Sequence, residues 1–329
     1  MLTLFAIPKG FEGQFRNIQR NAIGSWTRLK PRPEIILLGD DPGTAEAAAE
    51  LGARHVPTVA RNEYGTPLAS SIFAAGEQHA SNSLVCYINS DIILMQDFMS
   101  MVGTVDDLFR HQPFLAVGRK TSIELTSLLD FDDPGWERHL RDMVAERGHY
   151  VTYDSDFFVY RKGMFSGMPP FAIGRCFWTQ WLMYDTIRRG IPMIDTTSVV
   201  TSVEPRHDYS HSHSTGGSKR LSGVEYESNR RLFRGCQYYT TVDASHVLTR
   251  EGLRPRPART HLLSLLVRLD YFIYFLLKGT LYPYSLPLIV VLRAVRSALE
   301  RTRTASHALF HSDGKRPASL SPGRSQAAR

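Results

Sequence analysis

Leu84-Val-Cys-Tyr-Ile88 is an apolar run that stops at Asn89-Ser90-Asp91 and turns apolar again at Ile92-Ile93-Leu94. A buried strand that ends in a carboxylate and then resumes apolar aims that carboxylate at the ligand edge of a sheet. A divalent metal bridging two phosphates needs an oxygen ligand of this kind. Asn, Ser and Asp are also turn formers, so Asp91 reads both as a metal ligand and as a turn residue. The surrounding pattern has to decide between them.

Upstream, Leu2 to Ile7 reads as a buried strand ended by Pro8-Lys9-Gly10, and Glu12 to Thr27 as a helix. Glu34 to Leu38 is a second strand, closed by Gly39-Asp40-Asp41-Pro42-Gly43. Thr44 to Leu51 is an alanine-rich helix with Thr44 as its N-cap, and His55 to Val59 is a third strand. A loop at 61–67 leads to a helix from Leu68 to Ala80 and then to the Leu84 strand. Short apolar strands alternating with helices predict a parallel sheet covered on both faces, an α/β fold. Right-handed crossovers put ligands at the carboxyl ends of such strands. Pro8-Lys9, Asp40-Asp41 and Asn89-Ser90-Asp91 all fall there.

Downstream, helices are predicted at Phe98–Phe109, Trp136–Arg147 and Phe177–Arg189. Strands are predicted at Phe114–Val117, Asp156–Arg161 and Met193–Thr197. The polar stretch His207 to Gly223 reads as a loop. The chain has 329 residues, 43% of them apolar, enough for one large domain with appendages. The net charge is +7, but the positive excess is concentrated from Arg250 to Arg329 and the preceding part is slightly acidic. That asymmetry argues against a nucleic-acid partner. Cys86, Cys176 and Cys236 are far apart, which argues against a disulfide framework or a zinc cluster and fits a reducing compartment. Met1 to Pro8 has no basic segment and no long apolar core, so it reads as a strand rather than a signal peptide.

The C-terminal third changes character. Leu262 to Leu277 is apolar but carries Arg268 and Asp270; Leu286 to Leu299 carries Arg293 and Arg296. Neither reaches the roughly 20 clean apolar residues that span a bilayer. Such helices suit the membrane interface, and a core or homo-oligomer surface is the plainer alternative. The expected organisation is a domain at 1–245 (nucleotide half 1–100, acceptor half with a lid loop 101–245), amphipathic helices at 246–300 and a disordered basic tail at 301–329. The expected location is peripheral, on the cytoplasmic side of a membrane.

Phe5-Ala-Ile-Pro8, Leu38-Gly-Asp-Asp41 and Tyr87-Ile-Asn-Ser-Asp91 resemble the nucleotide-binding half of GT-A glycosyltransferases of the family 2-like nucleotide-diphospho-sugar transferase superfamily. The resemblance covers residues 1–240. It implies a GT-A-like fold, a nucleoside-diphosphate sugar as donor, and Mg²⁺ or Mn²⁺ held by Asp91, with Asn89 standing where that superfamily often has a first Asp. It further implies that Asp40 and Asp41 contact the nucleoside. Pro8, Lys9, Arg61, Asn89 and Ser90, at or near the strand ends, are expected to border the nucleotide.

In the second half, Tyr153 to Tyr160, Pro169 to Arg175, Phe177-Trp-Thr-Gln-Trp-Leu182 and Arg206-His-Asp-Tyr-Ser-His211 resemble a bacterial and plant group of such transferases. Thr179 stands where that group has an acidic residue. The resemblance makes His207 a second metal ligand and places Asp208 and His211 on the substrate. An inverting transferase needs a base near the acceptor hydroxyl, and Asp156 and Asp185 are the candidates. Trp178 and Trp181 lie three apart on one helix face, fit for stacking on a sugar or for core packing. Lys219 and Arg220, in a Gly-containing loop, could close over the diphosphate and meet the leaving charge. The function expected is metal-dependent sugar transfer to a saccharide or lipid-linked acceptor, in cell-surface polysaccharide or glycoconjugate synthesis. The alternatives are a sugar-1-phosphate nucleotidyltransferase and a degenerate nucleotide-sugar-binding subunit of a membrane complex.

Overall fold

The computed structural model describes residues 1–206, 222–256, 264–266 and 268–269, the side chains of 150–154 excepted. The chain divides into two units, Met1–Thr260 and His261–Arg329. In the second, the described residues are helical. The expected helices at 262–277 and 286–299 and the expected tail lie almost wholly outside the described residues. No helix among the described residues is long and apolar enough to cross a membrane.

The first unit opens with β1 (Leu2–Ala6), α1 (Gly13–Arg28), β2 (Glu34–Leu38), α2 (Thr44–Leu51), β3 (Arg54–Val56), α3 (Ala69–His79) and β4 (Leu84–Ile88). It continues with α4 (Gln96–Phe109), β5 (Leu115–Ile123), α5 (Trp136–Arg147), β6 (His149–Arg161), α6 (Trp178–Arg188), β7 (Met193–Asp195), β8 (Ser202–Pro205), α7 (Val224–Leu232), β9 (His246–Thr249) and β10 (Gly252–Pro255). The ten strands form one mixed, mainly parallel sheet in the order β10-β9-β7-β5-β6-β4-β1-β2-β3, with β8 beside β5. Strands β1 to β4 pair in parallel. Strand β6 enters antiparallel between β4 and β5, and β7 and β8 then pair parallel to β5.

Strand periodicity explains the two covered faces. Leu2, Leu4 and Ala6 of β1 and Cys86 and Ile88 of β4 point to a core filled by Ile23 and Trp26 of α1, Ala47 of α2, Phe98 of α4 and Leu140 of α5. The alternate residues Phe5 and Tyr87 point the other way. There Phe73 of α3 stacks on Tyr87 at 5.2 Å and meets Phe5 edge-on at 5.6 Å. Trp178 of α6 closes on Tyr87 at 5.2 Å.

Three expectations need correction. Helix α2 is capped by Gly43 in the left-handed region, and Thr44 is its first helical residue. Strand β5 does not stop at Val117: it passes through an irregularity around Gly118 and runs to Ile123, while β6 begins at His149 rather than at Asp156. The boundary expected at 245 falls inside the sheet, because β9 adds to β7 and β10 to β9.

Gly76 of α3 faces Phe5 of β1. A Cβ there would lie 2.3 Å from a ring carbon of the buried Phe5. Gly76→Ala should therefore destabilise the protein by about 1–3 kcal/mol through overpacking, against a helix-propensity gain of about 1 kcal/mol. Denaturant unfolding reads this directly, and a net gain in stability would mean that the Phe5 ring can yield.

Candidate functional site

The carboxyl tips of β1, β2 and β4 are stitched together. Gln19 of α1, almost fully buried, accepts from the Lys9 amide at 2.8 Å and from the Ser90 hydroxyl at 2.9 Å, and donates back to the Lys9 carbonyl at 2.9 Å. Pro8 is buried beside it, and the Lys9 ammonium lies 4.6 Å over the Phe15 ring. The Phe11 amide reaches the Pro42 carbonyl at 2.8 Å, tying the loop after β1 to the loop after β2. Pro8, Lys9 and Ser90 are therefore neighbours, as the strand order requires.

At the β2 tip, Arg61 pairs with Asp40 at 2.7 Å and with Asp41 at 2.9 Å. Burial opposes the Arg61 charge, but the two carboxylates outweigh it and hold the guanidinium above its ordinary pKa. Hydrogen bonding from Arg61 in turn holds the Asp40 carboxyl below the usual carboxylate range. All three of these candidates meet, and they meet each other first.

The acidic corner is built around β4. The segment after Asp91 is fixed by α1: Trp26 donates to the Ile92 carbonyl at 2.8 Å and the Ser25 hydroxyl accepts from the Leu94 amide at 3.0 Å. Ile93 and Val203 exchange backbone hydrogen bonds of 2.8 and 3.0 Å, which brings β8 and its Glu204 to the corner. Strand β6 continues its pairing past Ile88, the Asn89 amide donating to the Asp156 carbonyl at 2.9 Å. The Asn89 side chain donates to Asp156 Oδ1 at 2.6 Å and accepts from the Tyr87 hydroxyl at 3.1 Å. An aspartate at 89 would set two carboxylates against each other at that distance, which is a physical reason for the amide.

Between these strands lies Lys120 of β5, 9% exposed. Its Nζ is 2.7 Å from Asp156 Oδ2 and 2.7 Å from Glu204 Oε1. Lys120 pairs with Ser202 and Ser122 with Glu204, so Lys120 and Glu204 share one face of the ladder two positions apart. Burial works against the lysine charge, but Asp156, Glu204 and Asp91 outweigh it and hold its pKa above the ordinary value. Glu204 fares differently. Burial pushes its carboxyl up, Lys120 pulls it down, and Asp91 and Asp156 push it up again, with a net rise. Both values rise, but with opposite meaning: three carboxylates favour the lysine's charge over its burial, whereas at Glu204 burial and two like charges outweigh Lys120 and favour the neutral form. Tyr87 is also pushed up, by burial first and then by Asp91 and Asp156.

The corner thus holds three carboxylates and one internal cation, and the excess negative charge suits a divalent ion. Among the described residues no three His, Cys, Asp or Glu side chains are grouped to hold a metal by themselves. Asp91 is half-buried at the β4 tip, beside the two carboxylates that Lys120 contacts, and it offers a carboxylate oxygen of the kind a divalent ion takes. His207, Asp208, His211, Lys219 and Arg220 lie outside the described residues.

Other candidates are placed elsewhere. Asp185 of α6 is paired with Arg188 at 2.7 Å and with Arg189 at 3.0 Å, both close in sequence on or just after the same helix. Trp178 and Trp181 are buried among rings rather than displayed: Trp178 against Phe73, Tyr87 and Phe158, and Trp181 against Phe165 and Phe171. The sugar-platform expectation is corrected to core packing. Phe177, at the N-cap of α6, has φ +89°; it stacks on Phe233 at 5.2 Å and meets Tyr226 of α7 at 5.4 Å.

Helix α7, which the sequence reading did not anticipate, braces the 62–66 turn. Its buried Glu225 accepts from Asn62 at 2.8 Å and from Arg175 at 2.7 Å. Against the cost of burial, Asn62, Thr66 and Arg175 hold the Glu225 carboxyl below the usual range. Lys120, Glu204 and Gln19 were missed as well. None of the three stands inside an apolar run: Gln19 lies among Arg16, Asn17, Arg20 and Asn21, Lys120 follows Gly118-Arg119, and Glu204 precedes Pro205.

The sequence matches no family model and no curated protein. Among solved structures the chain is similar to S. aureus TarS 1-349 in complex with UDP-GlcNAc, at 10% identity and a TM-score of 0.49, over 88% of this chain and 79% of that one. It is also similar to M. tuberculosis glucosyl-3-phosphoglycerate synthase in complex with Mg²⁺ and uridine diphosphate, at 14% identity and a TM-score of 0.42, over 78% and 87%. A third is 4-diphosphocytidyl-2C-methyl-D-erythritol synthase from Anaerococcus prevotii, at 12% identity and a TM-score of 0.36, over 71% and 99%.

Two outcomes test these placements. Trp178→Ala should cost about 3–5 kcal/mol as a large-to-small core change, read as a lower urea midpoint. Undiminished stability with weakened saccharide binding would restore the platform reading. For Glu204, the folded pKa lies above the unfolded value of about 4.3. The folded state therefore holds the extra proton between the two values. Its contribution to stability is greatest below about pH 4 and falls as pH rises through the folded value. Wild type should lose stability relative to Glu204→Gln over that rise, and parallel stability curves would contradict the assigned field.

Proposed function

We propose that this chain transfers a sugar from a nucleoside-diphosphate donor to a saccharide or lipid-linked acceptor, with a divalent metal ion. The observation that carries the reading is the acidic corner. Asp91 closes β4 beside the joined tips of β1 and β2, where a doubly wound sheet receives nucleotides, and negative charge there exceeds the internal cation.

The loop after β1 and the Arg61–Asp40–Asp41 group border the nucleoside side. Asp91 meets the diphosphate end. A divalent ion bound there supplies Lewis-acid stabilisation of the leaving phosphate. Of the two carboxylates considered for the acceptor's proton, Asp156 stands at this corner and Asp185 is clamped by two arginines, so Asp156 is the one retained. Both Asp156 oxygens already have partners, yet each carboxylate oxygen keeps a further lone pair to accept a proton. His207, Lys219 and Arg220 follow β8 in sequence and complete the proposal as a metal ligand and a cationic lid. Residues 262–299 are proposed to rest at the cytoplasmic face of a membrane through their apolar, arginine-bearing sequence, near a lipid-linked acceptor for polysaccharide or glycoconjugate synthesis.

The test is a donor screen with Mn²⁺ or Mg²⁺ that begins with UDP-GlcNAc and UDP-glucose and follows acceptor-dependent release of the nucleoside diphosphate. Asp91→Asn should lower turnover by about 100-fold or more with the fold intact by circular dichroism. Undiminished turnover in that variant would remove the assigned role, and pyrophosphate release from a nucleoside triphosphate would instead show a nucleotidyltransferase.

A further inference from the structure

Asp156 and Glu204 have the chemistry of metal ligands and stand at the corner where a metal is expected, yet a lysine ammonium already lies between them. The Nζ lies 2.7 Å from each, as a charge-assisted hydrogen bond to Glu204 and a close ion pair with Asp156. The lysine stem is buried in β5, between β6 and β8, so the ammonium is held in place by the fold.

We propose that Lys120 is a tethered counter-cation that keeps Asp156 and Glu204 out of the divalent ion's coordination shell, so that the ion engages the corner through Asp91 and arrives with the donor's diphosphate. The proposal deepens the transferase reading and rests on it for the diphosphate. Its physical basis is exclusion. Mg²⁺ binds carboxylate oxygen at about 2.0–2.1 Å. An ion sharing the oxygens that Lys120 contacts would approach the ammonium within a few ångströms, in a site where water screens poorly. One of the two cations has to leave, and the covalently attached one stays.

A second consequence follows from charge balance. Without Lys120, three carboxylates would crowd a half-buried corner, and the corner would need an external cation to fold quietly. With Lys120 it is formed before any ligand arrives. Lys120 is thus a positioning residue: it holds Asp156 and Glu204 toward each other and leaves Asp91 as the coordinating carboxylate.

The experiment uses Mn²⁺ alone, with the full chain and no sugar nucleotide. Binding is followed by the electron paramagnetic resonance signal of free Mn²⁺, and stability by thermal melting with and without the ion. Lys120→Met should bind Mn²⁺ at least about tenfold more tightly than wild type and should gain melting temperature from it. Lys120→Arg, which restores the cation, should behave as wild type. The double variant Lys120→Met with Glu204→Gln should lose the gain. If Lys120→Met does not accumulate as folded protein, Lys120→Gln, which keeps a donor for the carboxylates, carries the same comparison. Binding by the lysine-less variants no tighter than wild type overturns the proposal, as does wild type already binding Mn²⁺ as tightly as they do. No donor enters the measurement, so its failure is distinct from failure of the transferase reading, which nucleotide release reports.

Discussion

An ammonium held among carboxylates organises the centre of this molecule. Lys120 draws Asp156 of β6 and Glu204 of β8 to the same point, 2.7 Å away on each side. Three strands that are distant in sequence are thereby locked in relation to the tip of β4. Taking an ion pair out of water is costly unless its remaining hydrogen-bonding capacity is met. Here Asn89 serves the other oxygen of Asp156, and Tyr87 serves Asn89. The polar corner grows directly out of the aromatic layer, because the same Tyr87 ring is packed by Phe73 and Trp178. Core packing and site geometry are coupled through one side chain.

The antiparallel strand β6 makes this possible. Parallel strands alone would send their carboxyl ends to one edge in series, each separated from the next by a crossover. Inserting β6 between β4 and β5 brings Asp156 against the tip of β4 from the opposite chain direction. Strand β8 then leans on β5 and exchanges a bridge with Ile93, bringing Glu204 in from the far side. Four charged groups, three from strands β5, β6 and β8 and one from the turn after β4, converge without any of them being near another in sequence.

That convergence marks the limit of what the sequence could disclose. Strands β1, β2 and β4 were legible because each buries a largely apolar run, as Leu84–Ile88 does, between turn formers, while the short β3, Arg54-His55-Val56, was placed by the alternation of strands and helices around it. The tip residues Pro8, Lys9, Asp40, Asp41 and Asp91 followed from strand order alone. Lys120 and Glu204 were not legible, because a lysine after Gly118 looks like the end of a strand, and the strand in fact continues past an irregularity at that glycine. Glu204 sits in a four-residue strand, too short for period-2 alternation to show. Trp178 and Trp181 were ambiguous for another reason: a three-residue spacing defines one helix face but not what that face meets. Phe177 in the left-handed region could not be foreseen from local preference, since its packing on Tyr226 and Phe233 and the hydrogen bond from its amide to Gln180 hold a bulky residue there.

Gln19 carries a mechanical implication. One side-chain amide holds both sides of the Lys9 peptide and the hydroxyl of Ser90, so the loops after β1 and β4 are parts of a single latch seated on α1. A molecule that pushes one loop must move the other with it or break the latch. The two loops therefore respond as a unit, and whatever adjusts to the shape of an incoming ligand has to come from outside them.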